Sequence, residues 1–276
     1  MLGQPLPASD RSAGDHGTVG VGAPTCEEKR GQPLACLRHD GPVREREAPG
    51  KGPVRLLFML EGYHPPLEEY LEAVHELEED HIPVIQARLA ERLGHSAPTV
   101  SETVRRLRDE GYVEIAGRAI SLTDKGRHQA ESVVRKHRLA ERLLTDVIGM
   151  EWHRSHAEAT RWEHVMSDEV EERLVVLLNN PSTCPHGNPI PGSGADEPNL
   201  AKLADAEKGD RVLLRRVTEQ VEFDADSLTH LGVHGFKPGV EATVMTKAPD
   251  GALLLDIDGR TIEITGALAQ LLYVAA

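Results

Sequence analysis

The alternation of apolar and polar residues predicts a helix that begins near Leu67. Its apolar residues follow the i, i+3, i+4, i+7 spacing of one helical face, and its other face is rich in glutamate. Pro83 interrupts this pattern, and two short amphipathic segments follow it, joined by a turn at Gly94. The second segment opens at residues 96–98, where proline is tolerated in a first turn, and it ends at Gly111. Two short helices joined by a tight turn predict a helix-turn-helix.

Two short alternating runs come next, over residues 112–115 and 120–123, and they predict a β-hairpin around Gly117. The module is therefore predicted to be a winged helix-turn-helix. Its expected use is DNA binding, and the alternative is a winged helix used only for protein contacts. Short polar side chains near the start of its second helix suit a DNA major groove. The candidate DNA-reading residues are Ser96, Pro98, Thr99, Ser101, Glu102, Thr103 and Arg106. The basic residues that can meet phosphates are Arg105, Arg106, Arg108, Arg118, Lys125 and Arg127.

The middle of the chain has the period of two longer helices. The first is predicted over about residues 125–148 and ends at Gly149. Ser155-x-x-Glu158 has the spacing of a capping box, so a second helix is predicted from there to about residue 179. The stretch CPHGNPIPGSG then interrupts the helical pattern, and a linker is predicted to about residue 204.

The last part of the chain reads as short strands separated by glycine-containing turns. The predicted strands span residues 211–216, 241–246, 253–257 and 261–264, a pattern typical of a small SH3-like barrel. Glu219 and Glu222 lie between the first two strands, where most such glutamates are simply solvated. Residues 1–60 are rich in glycine, proline and charge without any sustained period, and we predict that they are disordered.

The two predicted helices in the middle of the chain carry histidines and carboxylates about one turn apart. An α-helix rotates by about 100° per residue, so such residues share a face. Burying them without a partner is costly, and a divalent cation would compensate for that cost. The sequence therefore predicts one or two metal sites with nitrogen and oxygen ligands; the alternative is a solvated charged face. The candidates are His137 and Glu141 on the first helix, and His156, Thr160, Glu163 and His164 on the second.

Composition restricts the classes of function that remain. The chain has 276 residues and a net charge of −14, which argues against a wholly basic nucleic-acid coat protein. Residues 81–142 nevertheless hold 12 Lys and Arg against 8 Asp and Glu, so one basic module lies in an acidic chain. No apolar run of about 18 residues predicts a transmembrane helix, and the N-terminus lacks signal-peptide order. Three cysteines without a CxxC motif fit a reducing cytoplasm.

Several stretches of the chain resemble the diphtheria-toxin-repressor family of metal-dependent transcription regulators. They are LEEYLEAVHELEED, RLAERLGHSAPTVSETVRRLRDEGYV, RKHRLAERLLTDVIG, RWEHVMSDEVEERL and HGNPIPG. The resemblance covers about residues 67–276 and is weakest in the predicted barrel. It implies a mainly α protein with a small β domain. The expected parts are a disordered extension (1–60), a winged helix-turn-helix domain (61–126), a helical metal-binding and dimerisation domain (127–192), a linker (193–204) and an SH3-like domain (205–276).

The resemblance implies two metal sites in each subunit. The family's ancillary ligands fall on His137, Glu141, His156, Glu219 and Glu222, and the last of these is usually an amide in the iron branch. The primary site keeps Glu163 and His164. Its two sulfur-bearing positions are changed, since Glu69 stands for the family's methionine and Thr160 for its cysteine, where the backbone carbonyl can still act as a ligand. Glu102 replaces a glutamine of the recognition helix, a change expected to alter operator preference.

These departures favour hard ligands and therefore Mn²⁺ at the primary site, while Fe²⁺ is also compatible with histidine and carboxylate. We expect a metal-activated repressor that binds a palindromic double-stranded DNA operator as a homodimer, without any membrane partner. A metal that bridges Glu69 to Glu163 and His164 would lock the DNA-binding domain against the dimerisation domain. Two alternatives stay open: a winged-helix regulator that has lost metal control, and a metalloenzyme. The absence of an HExxH motif and of an evident base argues against an enzyme.

Overall fold

The computed structural model describes residues 67–194 and 200–275. The extension over residues 1–60, predicted to be disordered, lies outside the described residues. The α-helices of the described part are α1 (Leu67–Glu79), α2 (Gln86–Leu93), α3 (Ala97–Asp109), α4 (Asp124–Arg142), α5 (Ser155–Ala159), α6 (Asp168–Leu177), α7 (Glu219–Glu222), α8 (Ala225–His234) and α9 (Gly266–Ala269). Its strands are β1 (Val113–Ala116), β2 (Ala119–Leu122), β3 (Ala201–Lys202), β4 (Arg211–Val217), β5 (Glu241–Lys247), β6 (Leu253–Ile257), β7 (Arg260–Ile264) and β8 (Leu272–Ala275). A mainly α protein with a small β domain is thereby confirmed.

The winged helix-turn-helix is built from α1 to β2, and its apolar residues form one core. Gly94 follows the last residue of α2 and has a φ of 67°, in the left-handed region that glycine adopts at little cost. This conformation ends α2 and directs the chain towards α3. Strands β1 and β2 pair antiparallel, with Val113 opposite Leu122. The amide of Ile120 donates to the carbonyl of Val84 at 3.0 Å, which fastens the hairpin to the turn before α2.

Helix α4 begins the helical module and packs along α1. Thr123 caps it, since its hydroxyl accepts a hydrogen bond from the Gly126 amide at 3.1 Å and donates to the Gly111 carbonyl at 2.8 Å. After Arg142 the chain widens into a π-helical turn, Leu143–Val147, before the predicted end at Gly149. The sequence prediction of one continuous helix to Gly149 is therefore accurate in position but misses the change of helical type.

The prediction of one helix from Ser155 to about residue 179 is wrong. Helix α5 covers only Ser155–Ala159, irregular turns follow, and α6 starts anew with Ser167 as its N-cap, accepting from the Val170 amide. Ser155 does not form the predicted capping box, because its hydroxyl donates to the Trp152 carbonyl at 3.0 Å in a preceding 3-10 turn. The break lies among the candidate ligands and changes the directions in which they point.

The C-terminal module is one antiparallel sheet of six strands in the order β3-β8-β4-β5-β6-β7. Ala201–Lys202, which the sequence analysis places in a linker, pairs with β8, and Leu203 directly after it is fully buried. Helices α7 and α8 are inserted between β4 and β5 and close one side of the core. The insertion carries Glu219 and Glu222 inward, so the interpretation of these two as merely solvated is wrong.

The modules are joined by polar contacts as well as by packing. Arg216 of β4 pairs with Asp80, directly after α1, at 2.7 Å, and its Nε donates to the side-chain oxygen of Asn188 at 2.5 Å. Residues of the N-terminal and C-terminal modules therefore meet around the end of α1. Among the described residues, no helix combines the length and the apolar character needed to cross a membrane.

Candidate metal centre and DNA-reading surface

A buried group of histidines and carboxylates, here called the deep cluster, forms where α4, α5 and α7 meet. Each member is at most 5% exposed. The atom His137 Nε2 lies 3.3 Å from Glu141 Oε1, as helical spacing of four residues requires. His156 from α5 places Nδ1 3.3 Å from the same oxygen and 3.1 Å from Glu222 Oε2 of α7. The members of the deep cluster are His137, Glu141, His156, His186, Glu219 and Glu222.

Glu219 stands at the edge of the deep cluster and is shared with Arg138. Its Oε2 is 4.0 Å from His156 Nδ1, while its Oε1 accepts from Arg138 Nη2 at 2.9 Å. Arg138 is fully buried, and it also pairs with Glu79 at the end of α1 and donates to the Pro189 carbonyl. Removing one partner of such a buried pair generally costs about 3–5 kcal/mol, so Arg138 fixes α7 against α4 and α1.

The charges of the deep cluster determine its titration. Burial alone would lower the pKa of His156, but hydrogen bonds and charge from Glu141 and Glu222 outweigh it and raise that pKa to about 9. Burial likewise opposes the charged form of Glu141, yet His186 and His137 hold its pKa well below the usual range. Without metal the cluster therefore balances protonated imidazoles against carboxylates.

The deep cluster has the features of a site for a divalent cation. Several of its buried atoms, Glu141 Oε2, Glu219 Oε2, Glu222 Oε2 and His186 Nδ1, make no hydrogen bond to any described residue. Such orphaned acceptors are rare in protein interiors. Imidazole nitrogens and carboxylate oxygens are the ligands preferred by Fe²⁺, Mn²⁺ and Zn²⁺. The donor set fits a metal ion better than a hydrogen-bonded network of the protein alone.

A second group, here called the outer cluster, joins α1 to the chain after α5. His164 Nε2 lies 3.1 Å from Glu163 Oε1, and His164 Nδ1 lies 3.1 Å from Glu68 Oε2 of α1. Glu69 Oε1 is 3.9 Å from His164 Nε2, and one carboxylate oxygen of Glu72 lies within 4.8 Å of the ligand atoms of Glu163 and His164. The members of the outer cluster are Glu68, Glu69, Glu72, Glu163 and His164.

The outer cluster is an acidic set around one imidazole. Partial burial, together with the charges of Glu163 and Glu76, raises the pKa of Glu72 well above its usual range. The pKa of His164 is raised by its hydrogen bond to Glu163 and by its carboxylate neighbours. Carboxylates that crowd together in this way bind protons or a cation, and the ligand type suits a hard divalent ion such as Mn²⁺.

His137 connects the two clusters. Its Nε2 faces the deep cluster, while its Nδ1 is paired with Glu163 Oε2 of the outer cluster. In metal sites a ligating histidine commonly gives its other ring N–H to a carboxylate, which fixes its tautomer and orientation. An ion bound by Glu163 would therefore also hold the ring of His137 in place for the deep cluster.

Thr160 is the predicted ligand whose side chain does not belong to either cluster. Its hydroxyl donates to the His156 carbonyl at 3.1 Å, at the C-terminal end of α5. The other eight predicted metal-binding residues each lie in one of the two clusters.

Sequence reasoning missed Glu68, Glu72 and His186. Glu72 follows Glu69 by three residues, so the helical spacing used elsewhere was sufficient to find it. His186 lies in an irregular turn between Pro185 and Gly187, where no periodic pattern indicates the direction of its side chain.

The predicted DNA-reading residues lie at the start and along one side of α3. Ser96 caps the helix, accepting from the Thr99 amide at 3.3 Å, and the two hydroxyls are 2.8 Å apart. Pro98, Glu102 and Arg106 are exposed. Ser101 and Thr103 are half-buried on the same helix.

Several of the basic residues near α3 are already paired within the protein. Arg106 donates to Glu110 at 2.7 Å, Arg127 pairs with Glu78 at 2.9 Å, and Lys125 lies 3.8 Å from the centre of the Tyr112 ring. Contact with phosphate would have to replace these partners. The exposed pairs are weak, generally about 0–1 kcal/mol, so replacing them is inexpensive.

Comparisons with known proteins agree with this architecture. Residues 64–119 match the family described as "Iron dependent repressor, N-terminal DNA binding domain". Residues 123–192 match "Iron dependent repressor, metal binding and dimerisation domain", and residues 201–276 match the FeoA domain, an SH3-like fold.

Individual relatives align over most of their own length. The iron-dependent repressor IdeR of Mycobacterium tuberculosis is 48% identical over 204 residues, covering 70% of this chain and 88% of the relative. The diphtheria toxin repressor of Corynebacterium diphtheriae is 41% identical over 219 residues, covering 75% and 95%. A manganese-dependent transcriptional repressor solved in complex with manganese superimposes with a TM-score of 0.68 at 32% identity, covering 76% of this chain and 99% of that one. The chain belongs to the iron-dependent repressor family.

Proposed function

We propose that the protein is a divalent-metal-activated transcriptional repressor that binds DNA and controls genes of iron or manganese homeostasis. The observation that carries the proposal is the outer cluster, because His164 lies 3.1 Å both from Glu68 of α1 and from Glu163. Helix α1 belongs to the winged helix-turn-helix, whereas Glu163 and His164 belong to the helical module. A cation bound there would tie the DNA-reading part of each subunit to its dimerising part.

The physical reason for activation is electrostatic. Without a cation, the carboxylates of Glu69, Glu72 and Glu163 repel one another across the junction unless they are protonated. A divalent ion removes that repulsion and favours the arrangement with α1 held against the helical module. Two recognition helices in a homodimer must match half-sites about one turn of DNA apart, so fixing α1 fixes their spacing on a palindromic operator. The ion shifts this equilibrium only by its differential affinity for the two arrangements.

We assign the residues to two sites in each subunit. Glu69, Glu72, Glu163 and His164 hold the outer ion, and Thr160 contributes at most its backbone carbonyl. The predicted ligands His137, Glu141, His156, Glu219 and Glu222 hold the deep ion. The ion supplies positive charge and fixed geometry; we propose no catalysed reaction. The DNA-reading residues are those of α3 and its N-cap.

We place the DNA-binding domain before residue 126 and the metal-binding and dimerisation domain between residues 127 and 192. We propose that the protein acts in the cytoplasm.

The test is DNA binding as a function of metal. Duplexes selected by the metal-loaded protein from a random-sequence pool are labelled, and binding is followed anaerobically by fluorescence anisotropy. We expect weak binding in chelator and an affinity about 5–150-fold higher with Mn²⁺ or Fe²⁺, the usual range of allosteric coupling. Glu69→Ala should bind DNA weakly whatever metal is present.

Glu169→Ala provides the matched control, because Glu169 is an exposed carboxylate that pairs only with Arg173 along α6 in the described contacts. It should respond to metal as the unaltered protein does. Equal DNA affinity in chelator and in metal would instead support a regulator that has lost metal control. Full metal-dependent binding by Glu69→Ala would show that the outer cluster is not the coupling site.

A further inference from the structure

Helix α3 turns one face to the core of the winged helix-turn-helix, and Glu102 lies on the opposite face. The residues that α3 buries, each at most 1% exposed, are Val100, Val104 and Leu107. Because an α-helix rotates by about 100° per residue, Glu102 lies about 200° round the helix from Val100. Its side chain is exposed in the second turn of α3. This is the part of a recognition helix that meets base edges in a major groove.

The carboxylate of Glu102 is free on this face. Arg106, four residues later, has the spacing of its usual helical partner, but the Nε of Arg106 donates to Glu110 at 2.7 Å instead. Within the part of the chain that the structure describes, the Glu102 side chain makes no hydrogen bond or ion pair. It is also the only acidic residue in the sequence between residues 92 and 108, which contains four arginines.

A free carboxylate on a DNA-reading face has an electrostatic cost. The phosphates of DNA attract the arginines around α3 and repel Glu102. A hydrogen bond from a base offsets that repulsion, and a carboxylate can only accept one. The contact must therefore come from a donor on a base edge in the major groove.

Only two bases present such a donor in the major groove, cytosine at N4 and adenine at N6. On adenine the donor lies beside the acceptor N7, whose lone pair repels a carboxylate oxygen. Cytosine has no acceptor beside N4 on its own edge, so a carboxylate approaches it without that repulsion. A side-chain amide has the reverse preference, because it donates to N7 while it accepts from N6 of adenine.

We propose that Glu102 determines one base of each operator half-site, by accepting a hydrogen bond from the N4 amino group of a cytosine. The inference rests on the proposed function, since it takes DNA as the partner and α3 as the reading helix. In a homodimer both subunits carry Glu102, so the cytosine should recur at the symmetric position of the other half-site. A contact of this kind discriminates about 5–150-fold against the wrong base pair, the equivalent of about 1–3 kcal/mol.

The experiment measures base preference with the full chain loaded with Mn²⁺ or Fe²⁺. The duplex selected from a random pool is altered one base pair at a time, and each affinity is measured by fluorescence anisotropy. At one position of each half-site the unaltered protein should prefer cytosine, Glu102→Gln should prefer adenine, and Glu102→Ala should discriminate little. Preferences at the other positions should be unchanged. An unchanged melting temperature in each variant establishes that it folds, as expected of an exposed side chain without a partner.

A modified base tests the hydrogen bond itself. Replacing the preferred cytosine by 2-pyrimidinone removes its 4-amino group and leaves the rest of the base in place. The loss of affinity should be about 5–150-fold larger for the unaltered protein than for Glu102→Ala, because the double comparison isolates the contact between the two groups. Equal losses would show that Glu102 does not contact N4.

Glu91→Gln is the matched control, because Glu91 is an exposed carboxylate on α2 that likewise makes no side-chain hydrogen bond or ion pair with a described residue. Glu91→Gln and Glu102→Gln each remove one negative charge, so both should strengthen DNA binding in general. Only Glu102→Gln should change a base preference.

Two results would overturn the assignment while leaving the proposed function standing. One is the same base preference in the unaltered protein, Glu102→Gln and Glu102→Ala. The other is a position that depends on Glu102 but is not cytosine for the unaltered protein. Failure of the unaltered protein to bind any duplex with either metal would instead contradict the proposed function, and this inference with it.

Discussion

His156 lies between two carboxylates in the deep cluster, and its proton competes with the metal for the same place. Glu222 Oε2 and Glu141 Oε1 are 3.1 and 3.3 Å from its Nδ1. Although burial opposes the charged imidazole, these neighbours raise the pKa of His156 to about 9 from its ordinary value of 6.5. In the metal-free protein the proton partly takes the role of the cation.

The sign of the resulting pH dependence follows from the raised pKa. A histidine whose pKa is higher in the folded state stabilises the protein fully below its unfolded value, and that contribution is lost as the pH rises through the folded value. We therefore expect the metal-free protein to lose stability between about pH 6.5 and 9. Metal binding must displace the proton, so the apparent affinity should rise by up to about tenfold per pH unit over the same interval.

Thermal melting and Co²⁺ titration at a series of pH values measure both effects. The two should move in opposite directions: melting of the metal-free form falls while metal affinity rises. His128→Ala replaces an exposed histidine of α4 and serves as the control, which should leave both curves unchanged. Metal affinity that is independent of pH across this interval would contradict the protonated state of His156.

The start of helix α4 shows how one element couples the hairpin to the helical module. Gly126 has an ordinary helical conformation, so alanine there would by itself favour the helix by about 1 kcal/mol. A Cβ at this position, however, would lie 1.9 Å from the Tyr112 carbonyl oxygen. Tyr112 precedes β1, and backbone cannot move aside as a flexible side chain can.

We expect Gly126→Ala to push the first turn of α4 away from the hairpin. The overlap should outweigh the gain in helix propensity and destabilise the protein by about 1–3 kcal/mol, the usual cost of overpacking. Urea unfolding measures the change. DNA affinity in Mn²⁺ should fall as well, while the deep ion binds normally because its ligands lie at least two turns further along α4 and beyond.

Gly232→Ala is the corresponding control in helix α8. The three atoms nearest to its Cβ would belong to the side chain of His153, at 3.0–3.3 Å, so the neighbour has to give way by only a few tenths of an ångström. The change in unfolding free energy should be smaller than that of Gly126→Ala, with no loss of DNA affinity. Equal effects of the two substitutions would refute the argument from the Tyr112 carbonyl.

The regularity of each helix or turn determines how much of the fold and of the site could be predicted from the sequence. Residues one turn apart in a regular helix, such as His137 and Glu141, were found because the period alone puts them on one face. The break after α5 was missed, since the run from His156 to His164 has helical spacing and contains no glycine or proline that would mark an interruption. His186 has no period at all, and its direction is set by β4, far away along the chain.

At the scale of the whole molecule, the deep and outer clusters lie where modules meet. The deep cluster gathers residues from α4, α5, α7 and the turn at His186, and the outer cluster gathers them from α1 and the chain after α5. Because the members of both clusters lie in one chain, we expect metal binding without a second subunit. We expect DNA binding to need one, because two recognition helices must be held at a fixed spacing.

We expect the second subunit to bind at exposed apolar residues of the helical module. Ile148 is 55% and Val165 81% exposed. They lie in the segment that matches the family's metal-binding and dimerisation domain. We expect the double variant Ile148→Glu/Val165→Glu to be monomeric, since burying two carboxylates in an apolar interface is costly.

Analytical ultracentrifugation of the full chain measures the change in assembly, and two further readouts separate its causes. The variant should still bind two ions in each chain, because the described residues of one chain form both clusters, but metal should no longer increase its DNA affinity. Val233→Glu alters a residue that is 69% exposed on α8, outside the helical module, and it should remain dimeric. A double variant that stays dimeric would place the interface elsewhere. A monomer that still gains DNA affinity from metal would show instead that metal acts within each subunit, by ordering α1 and α3, rather than by setting the distance between two recognition helices.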